Sequence, residues 1–151
     1  MDSELKLRIR DDTRTTMRAR DKARLAILRL INAEIKQAEI DSRSELTDQG
    51  LHQVLVRMQK QRASSAAQYR DGGRNDLATQ EEYEISVIQE FLPKQLTEVE
   101  VSDAVDQACK TLQADSMQHM GKVMGHLTQS LSGRADMAQV SKIVQARLSA
   151  N

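Results

Sequence analysis

Apolar residues recur along this chain at intervals of three and four positions, which is the spacing that lines up side chains on one face of an α-helix. Four such stripes precede Pro93. Their members are Leu5, Ile9, Thr13 and Met17; Leu25, Leu28, Ile31, Ile35 and Ala38, broadened by Ile27 and Leu30; Leu51, Val54, Leu55, Met58, Ala66 and Tyr69; and Leu77, Ile85, Ile88, Phe91 and Leu92. The pattern therefore predicts four helices in this part of the chain.

Three further stripes follow Pro93 and predict three shorter helices. They comprise Val101, Ala104, Val105, Ala108, Cys109 and Leu112; Met117, Met120, Val123, Met124, Leu127 and Leu131; and Met137, Val140, Ile143, Val144 and Leu148. With almost no proline and a preponderance of helix-forming residues, the sequence predicts an all-α protein.

Capping and breaking residues predict where these helices begin and end. The sequence Thr97-Glu98-Val99-Glu100 has the form of a capping box, in which Thr97 and Glu100 each satisfy the other's backbone N–H. The other expected starts are Asp21, Thr47, Asn75 or Asp76, Asp115 or Ser116, and Asp136; the expected ends are Arg20, the polar stretch 41–44, Gly72-Gly73 and Gly133.

Pro93 is the predicted domain boundary, because proline disfavours a helical conformation in the residue before it and here follows the last apolar turn of the fourth stripe. We expect an N-terminal helical domain resembling a four-helix bundle over residues 1–92. A small three-helix domain is expected over residues 93–151. Connections this short predict that neighbouring helices pack against one another within each domain.

Composition supports the helical interpretation and limits the kinds of function. Only 2% of the residues are aromatic, which argues against a sheet with many aromatic cross-strand pairs. Residues 1–70 contain 15 Lys and Arg against 10 Asp and Glu, whereas residues 71–151 contain 7 against 12. A basic first half could face phosphate, but cations interleaved with acids are more typical of a solvated helix surface.

The chain shows no export signal and no apolar run long enough to cross a bilayer, so a cytoplasmic location without membrane contact is expected. Cys109 is the single cysteine and lies on an apolar stripe. It therefore predicts a buried, inert thiol rather than a disulfide, a zinc ligand or a nucleophile.

No arrangement of residues in the sequence predicts catalysis. His52, His119 and His126 lie outside every metal or nucleophile motif, and a phosphate-binding loop is missing. On a helix, seven residues would separate His119 from His126 by about 10 Å, too far for both to bind one metal. We therefore expect no catalytic residue, metal or cofactor.

Gly121 and Gly125 lie inside the sixth predicted helix, where each glycine costs about 1 kcal/mol relative to alanine. Their spacing favours close packing on a neighbouring helix. The alternative is that an RNA backbone or a protein partner approaches this side. The four methionines nearby are Met117, Met120, Met124 and Met137; core packing is favoured for them over an exposed docking surface.

Several motifs occur in an order and spacing that resemble the YqeY family over nearly the whole chain. They are Arg24-Leu25, Glu34-Ile35-Lys36-Gln37, Glu39-Ile40-Asp41, Lys60-Gln61-Arg62 with Tyr69, Gly73-Arg74, Asp76-Leu77-Ala78, Glu90-Phe91-Leu92-Pro93-Lys94-Gln95-Leu96, Met120-Gly121-Lys122-Val123-Met124 and Gly133-Arg134-Ala135-Asp136. The resemblance implies an N-terminal helical bundle followed by a domain similar to the tail of GatB. GatB is the subunit that carries the catalytic part of the glutamine-dependent tRNA amidotransferase.

The resemblance also implies a function, because the GatB tail contacts tRNA. Carried over by position, the candidate RNA-binding residues are Gly121, Lys122, Gly125, Gly133 and Arg134. The implied role is a non-catalytic accessory protein that binds tRNA or a complex that charges or amidates tRNA, with no DNA expected. The resemblance also links the chain to carbon–nitrogen ligase activity with glutamine as the amide donor, although this sequence carries no catalytic constellation for it. The alternative is a protein-interaction module without RNA affinity.

Overall fold

The computed structural model describes residues 3–150, and within that range every regular element is a helix. The all-α prediction is confirmed. The seven α-helices are α1 (Glu4–Ala19), α2 (Lys22–Ser42), α3 (Asp48–Asp71), α4 (Asn75–Gln89), α5 (Glu98–Thr111), α6 (Met120–Ser130) and α7 (Met137–Ser149). A short 3₁₀ turn, Met117–His119, precedes α6.

Side-chain caps begin five of these helices. In each case a side-chain oxygen accepts a hydrogen bond from an N–H that the first helical turn leaves unpaired. The caps are Ser3 for α1, Asp21 for α2, Thr47 for α3, Thr97 for α5 and Asp136 for α7. The predicted caps at Asp21 and Asp136 and the capping box of Thr97 with Glu100 are confirmed.

The predicted cap of α4 was wrong. Neither Asn75 nor Asp76 occupies the cap position, which belongs to Arg74 and has no side-chain cap. Gly73 has a φ of 76° and reverses the chain immediately before Arg74, so that Asn75 and Asp76 already lie in the first helical turn. There Asp76 instead accepts a hydrogen bond at 3.2 Å from the Arg74 guanidinium.

The helical segment begins after Ser116 as predicted, but its first turn is the 3₁₀ turn Met117–His119, and the α-helix itself begins only at Met120. The Ser116 hydroxyl lies 3.4 Å from Nδ1 of His119 and does not cap a backbone N–H. The backbone N–H of His119 instead bonds to the Ser116 carbonyl at 3.0 Å, which closes the tighter turn that precedes the helix.

The chain forms two compact units, one extending to Pro93 and the other starting at Lys94. Each unit has its own aliphatic core. The first consists of Leu5, Ile9, Ile27, Leu28, Ile31, Ile35, Leu51, Val54, Leu55, Met58, Val87, Ile88 and Phe91; the second of Val101, Val105, Ala108, Cys109, Ala114, Val123, Leu127, Leu131, Ala135, Val140, Val144 and Leu148. That the units fold independently, with a boundary at 92/93, stays a prediction.

In the first unit, two predicted core positions lie at the surface. Met17 is 53% exposed and Leu30 is 46% exposed, while the polar Thr16 is buried at 5%. Thr16 lies seven residues after Ile9, on the face of α1 that packs inward, and its hydroxyl donates to Asp12 at 3.1 Å. A buried hydroxyl with a hydrogen-bond partner replaces the apolar side chain that the pattern predicted.

The charge imbalance between the two halves of the sequence disappears within the first unit. Residues 1–93 contain 16 Lys and Arg and 16 Asp and Glu. The acids of α4 and its C-cap pair with arginines of α2 and α3: Glu84 with Arg62 at 3.0 Å, Glu90 with Arg24 at 2.6 Å, and Glu82 with Arg70. These ion pairs between helices explain why basic and acidic residues are interleaved in the sequence of the first unit.

Arg24 joins three parts of the first unit. Its guanidinium donates to Glu90 at 2.6 Å and to Asp12 of α1 at 2.8 Å, and its side chain is only 20% exposed. The hydrogen bonds with Glu90 and Asp12 raise the pKa of Arg24 further above its usual range. Arg24 thus fixes α1 and the end of α4 against the start of α2.

Replacing Arg24 by Met should lower the free energy of unfolding of the first unit by about 1–3 kcal/mol, since two carboxylates lose a partly buried charged partner. Urea denaturation followed by tyrosine fluorescence measures this change. Tyr69 and Tyr83 are the only tyrosines of the chain and both lie in the first unit, so the signal reports that unit alone.

The matched control is Arg57→Met. Arg57 pairs with Glu34 at 3.4 Å, but its side chain is 55% exposed, so the loss should stay below about 1 kcal/mol. Equal destabilisation by the two substitutions would contradict a special role for Arg24.

Candidate partner-binding face on helix α6

Helix α6 has one buried face and one exposed face. Val123 and Leu127 are 0% and 1% exposed and pack into the core of the second unit. The opposite face carries the exposed residues Gly121, Lys122, Gly125, His126 and Gln129. Spacings of three and four residues make them neighbours on one helix surface.

The two glycines leave a strip of α6 backbone uncovered. A Cβ atom added at Gly121 or at Gly125 would meet no heavy atom within 4 Å. The prediction that these glycines pack against a neighbouring helix was therefore wrong, because the packing of α6 comes from Val123 and Leu127. Neither glycine has a positive φ, so backbone conformation does not require glycine at either position.

Polar groups border this glycine strip. Lys122 lies between the two glycines in sequence and forms no ion pair with any residue in the range 3–150. His126 follows Lys122 by one turn and is also exposed. The face thus combines a close-approach surface with a cation, an imidazole and the amide of Gln129.

The methionines around α6 belong mostly to the core. Met120, Met124 and Met137 are partly buried and pack against the core of the second unit, which confirms the packing predicted for them. Met117 differs, since it is 44% exposed immediately before α6. An apolar side chain therefore lies at the surface near the start of the helix.

The Gly133-Arg134 turn forms hydrogen bonds with residues 94–96 and so contributes to the fold of the second unit. Gly133 is buried and has a φ of 73°, a conformation that favours glycine. Its carbonyl accepts a hydrogen bond at 2.5 Å from the amide of Gln95, and the Arg134 carbonyl accepts one at 2.8 Å from the backbone N–H of Leu96. The Arg134 side chain donates to the Lys94 carbonyl at 3.5 Å.

These contacts join residues 94–96, which begin the second unit, to the turn that precedes α7. The charge of Arg134 also acts on Glu100, whose carboxyl pKa is lowered chiefly by the hydrogen bond from Thr97 N–H, with the charges of Lys94 and Arg134 contributing. Arg134 thus serves the fold of the second unit, and only its remaining N–H groups are available to a phosphate.

The structure brings together three of the five candidate residues. Gly121, Lys122 and Gly125 share one face near the start of α6, whereas Gly133 and Arg134 follow its end. From Lys122 to the end of the helix at Ser130 the chain advances eight residues, or roughly 12 Å along the helix axis. A single phosphate cannot bridge the two groups, although an extended backbone could.

Apart from His126, neither the histidines nor the cysteine lie within α6. His52 borders a groove of about 360 Å³ that is also lined by Arg8, Asp48 and Phe91, and burial lowers its pKa. His119 Nδ1 lies 3.4 Å from the Asp115 carboxylate. Cys109 is 3% exposed, so its predicted burial is confirmed.

Two features are absent from residues 3–150. No group of three or more His, Cys, Asp and Glu side chains is placed to hold a metal ion. No helix in this part of the chain is both long and apolar enough to span a membrane.

Comparison with known proteins gives a family and several relatives. The family model described as Yqey-like protein matches residues 6–148. "Altered inheritance of mitochondria protein 41, mitochondrial" of Pyrenophora tritici-repentis is 30% identical over 141 residues, which cover 91% of this chain and 77% of that protein.

The protein of the same name from Meyerozyma guilliermondii is 31% identical, over 78% of this chain and 63% of that protein. The chain from Eremothecium gossypii, again of that name, is 32% identical over 56% of this chain and 46% of its own length. The chain thus spans less than two thirds of the latter two relatives. Their names say mitochondrial, which does not match the cytoplasmic location expected here.

Replacing Gly121 or Gly125 by Ala should raise the free energy of unfolding of the second unit by about 0.5–1 kcal/mol each. Alanine is the better helix former, and the added methyl group meets open space. Urea denaturation followed by circular dichroism measures the change.

Gly133→Ala serves as the control, since a positive φ should make alanine destabilising there by about 1 kcal/mol or more. Destabilisation by alanine at 121 and 125 would mean that the fold needs these glycines, and the open strip would lose its functional interpretation.

Proposed function

The chain belongs to the Yqey-like protein family, and from this starting point we propose that it is a non-catalytic accessory protein that contacts RNA through α6. The expected partner is tRNA or a complex that charges or amidates tRNA. The observation that supports the proposal is the open strip of Gly121 and Gly125 beside Lys122, which has no ion pair to residues 3–150.

Glycine on the surface of a helix lowers the stability of the helix and contributes nothing to packing. We therefore expect its advantage to be that a binding partner can approach the helix backbone closely. Without side chains at positions 121 and 125, a ribose–phosphate backbone can approach α6 to van der Waals distance. Lys122 then meets a phosphate, while His126 and Gln129 offer hydrogen bonds beside it.

The charge of the second unit limits how strong such binding can be. Residues 94–151 contain six Lys and Arg and six Asp and Glu, so the unit as a whole does not attract a polyanion. Binding of RNA to this unit must therefore depend on a complementary shape and on one or two cations near the contact. We therefore propose weak, shape-dependent binding with a shallow dependence on salt.

The proposal excludes a reaction by the chain itself. Carbon–nitrogen ligase activity enters only through the resemblance to the GatB tail, and the tail is the part of that enzyme that contacts tRNA. Cys109 is buried and therefore does not offer an accessible nucleophile. A cytoplasmic location stays a prediction.

A second candidate is a protein-interaction module that uses the same face. The exposure of Met117 at 44%, close to the start of α6, favours it, because methionine adapts to varied apolar partners. The same glycine strip would then admit a partner helix. The two candidates share a surface and differ in what occupies it.

Lys122→Gln should reduce the slope of log affinity against log salt for tRNA by about 0.7–0.9, which is the contribution of one phosphate contact. Gly125→Leu should lower the affinity for tRNA at least as much as Lys122→Gln does. It leaves the charge unchanged, and its effect comes from the leucine side chain, which fills the strip. Fluorescence anisotropy of labelled tRNA at several salt concentrations measures both effects.

Lys142→Gln is the matched control. Lys142 is an exposed lysine of α7 in the same unit, with no ion pair to residues 3–150, so its loss should leave the slope unchanged. Equal slopes for Lys122→Gln and wild type would overturn the RNA proposal. Binding of a protein partner that Gly125→Leu abolishes, with no tRNA affinity at any salt concentration, would establish the second candidate.

A further inference from the structure

Helices α1 and α2 run antiparallel and are fastened together at two levels. At one level the Lys6 ammonium donates to both carboxylate oxygens of Glu39 at 2.9 Å. At the other, the Asn32 amide donates to the Thr13 hydroxyl at 3.0 Å. Between these two contacts lies a groove of about 260 Å³.

Two cations face this groove from opposite helices. Arg10 on α1 lies one turn after Lys6, and Lys36 on α2 lies one turn after Asn32. In the described part of the chain, neither has a carboxylate within 4 Å. Like charges are thus held on both walls between two fixed contacts, an arrangement that an anion between them would stabilise.

The acid in the groove is already engaged. Glu39 accepts hydrogen bonds from Lys6 through both oxygens and from the backbone N–H of Leu46 at 2.9 Å. These bonds, led by that from Lys6, lower the pKa of Glu39, and the charge of Arg10 contributes. Since Lys6 and Glu39 neutralise each other, the groove retains the charge of Arg10 and Lys36.

Besides the two cations, the groove is lined by Asn32, whose amide oxygen is a hydrogen-bond acceptor. Both hydrogens of its amide nitrogen are used, one by Thr13 at 3.0 Å and the other by the Leu28 carbonyl at 2.8 Å. Because a carbonyl oxygen can only accept, the bond to Leu28 also fixes which atom of Asn32 is nitrogen. The amide oxygen remains, and it can accept a hydrogen bond from a hydroxyl group in the groove.

We propose that this groove binds a phosphate ester that carries a neighbouring hydroxyl group. The Arg10 guanidinium offers paired donors and Lys36 a point charge, the two common partners of phosphate oxygens. The Asn32 oxygen accepts from the hydroxyl. A volume of about 260 Å³ accommodates a phosphate with one sugar ring. The source is either a soluble sugar phosphate or a ribose–phosphate unit of RNA.

The full-length chain, labelled with ¹⁵N, is titrated with ribose 5-phosphate, with ribose, and with a short single-stranded RNA. The reporter is the side-chain amide of Asn32, whose resonances should shift with the phosphate ester and not with ribose. If the shift occurs with RNA at lower concentration, the source is the RNA backbone; if only with ribose 5-phosphate, it is the soluble ester.

The double variant Arg10→Gln and Lys36→Gln should weaken binding at least roughly tenfold, since a single charge-assisted hydrogen bond is worth about that factor. The control pair, Arg18→Gln and Lys22→Gln, removes the same charges from positions on the same two helices that do not line the groove and should bind as the wild type does. Tyrosine fluorescence and circular dichroism verify that both variants are folded.

Equal affinity in the groove variant and the control pair would overturn the proposal, as would a wild-type chain whose Asn32 amide responds to neither ribose 5-phosphate nor RNA. The groove lies in the first unit and the glycine strip in the second, so neither result bears on the function proposed for α6.

Discussion

The acids of α4 and its C-cap cancel the positive charge of the helices before them, and much of the remaining structure follows from that pairing. Arg24, Arg62 and Arg70 are the partners, and Arg24 also reaches Asp12 of α1. With few aromatic side chains in the chain, the first core consists almost entirely of aliphatic residues from several helices. The ion pairs at its border select which helix faces meet, because a wrong register would leave partly buried charges unpaired.

This neutralisation determines where an anionic partner can bind. A sequence divided at its middle suggests a basic half, whereas the first unit as a whole contains equal numbers of acidic and basic residues and pairs Arg24, Arg62 and Arg70 with the acids of α4 and its C-cap. Arg10 and Lys36 face a groove in the first unit, and Lys122 borders the glycine strip in the second. Recognition must therefore depend on the shape of these places more than on a general electrostatic field.

The sequence predicted those features that depend on neighbours along the chain, such as the seven helices, the cap at Asp21 and the capping box at Thr97. It could not predict features that depend on tertiary contacts. The spacing of Gly121 and Gly125 fits a helix–helix contact as well as an open strip, and only the packing of α6 through other residues distinguishes them. The groove between α1 and α2 was missed because it requires the register of two helices.

Hydrogen–deuterium exchange of the full-length chain with and without tRNA measures whether the open face of α6 binds RNA. We expect slower exchange across residues 120–130 when tRNA is present, with exchange in α7 and α4 unchanged. Slower exchange confined to α1, α2 or α3, with residues 120–130 unaffected at saturating tRNA, would contradict RNA binding at this face.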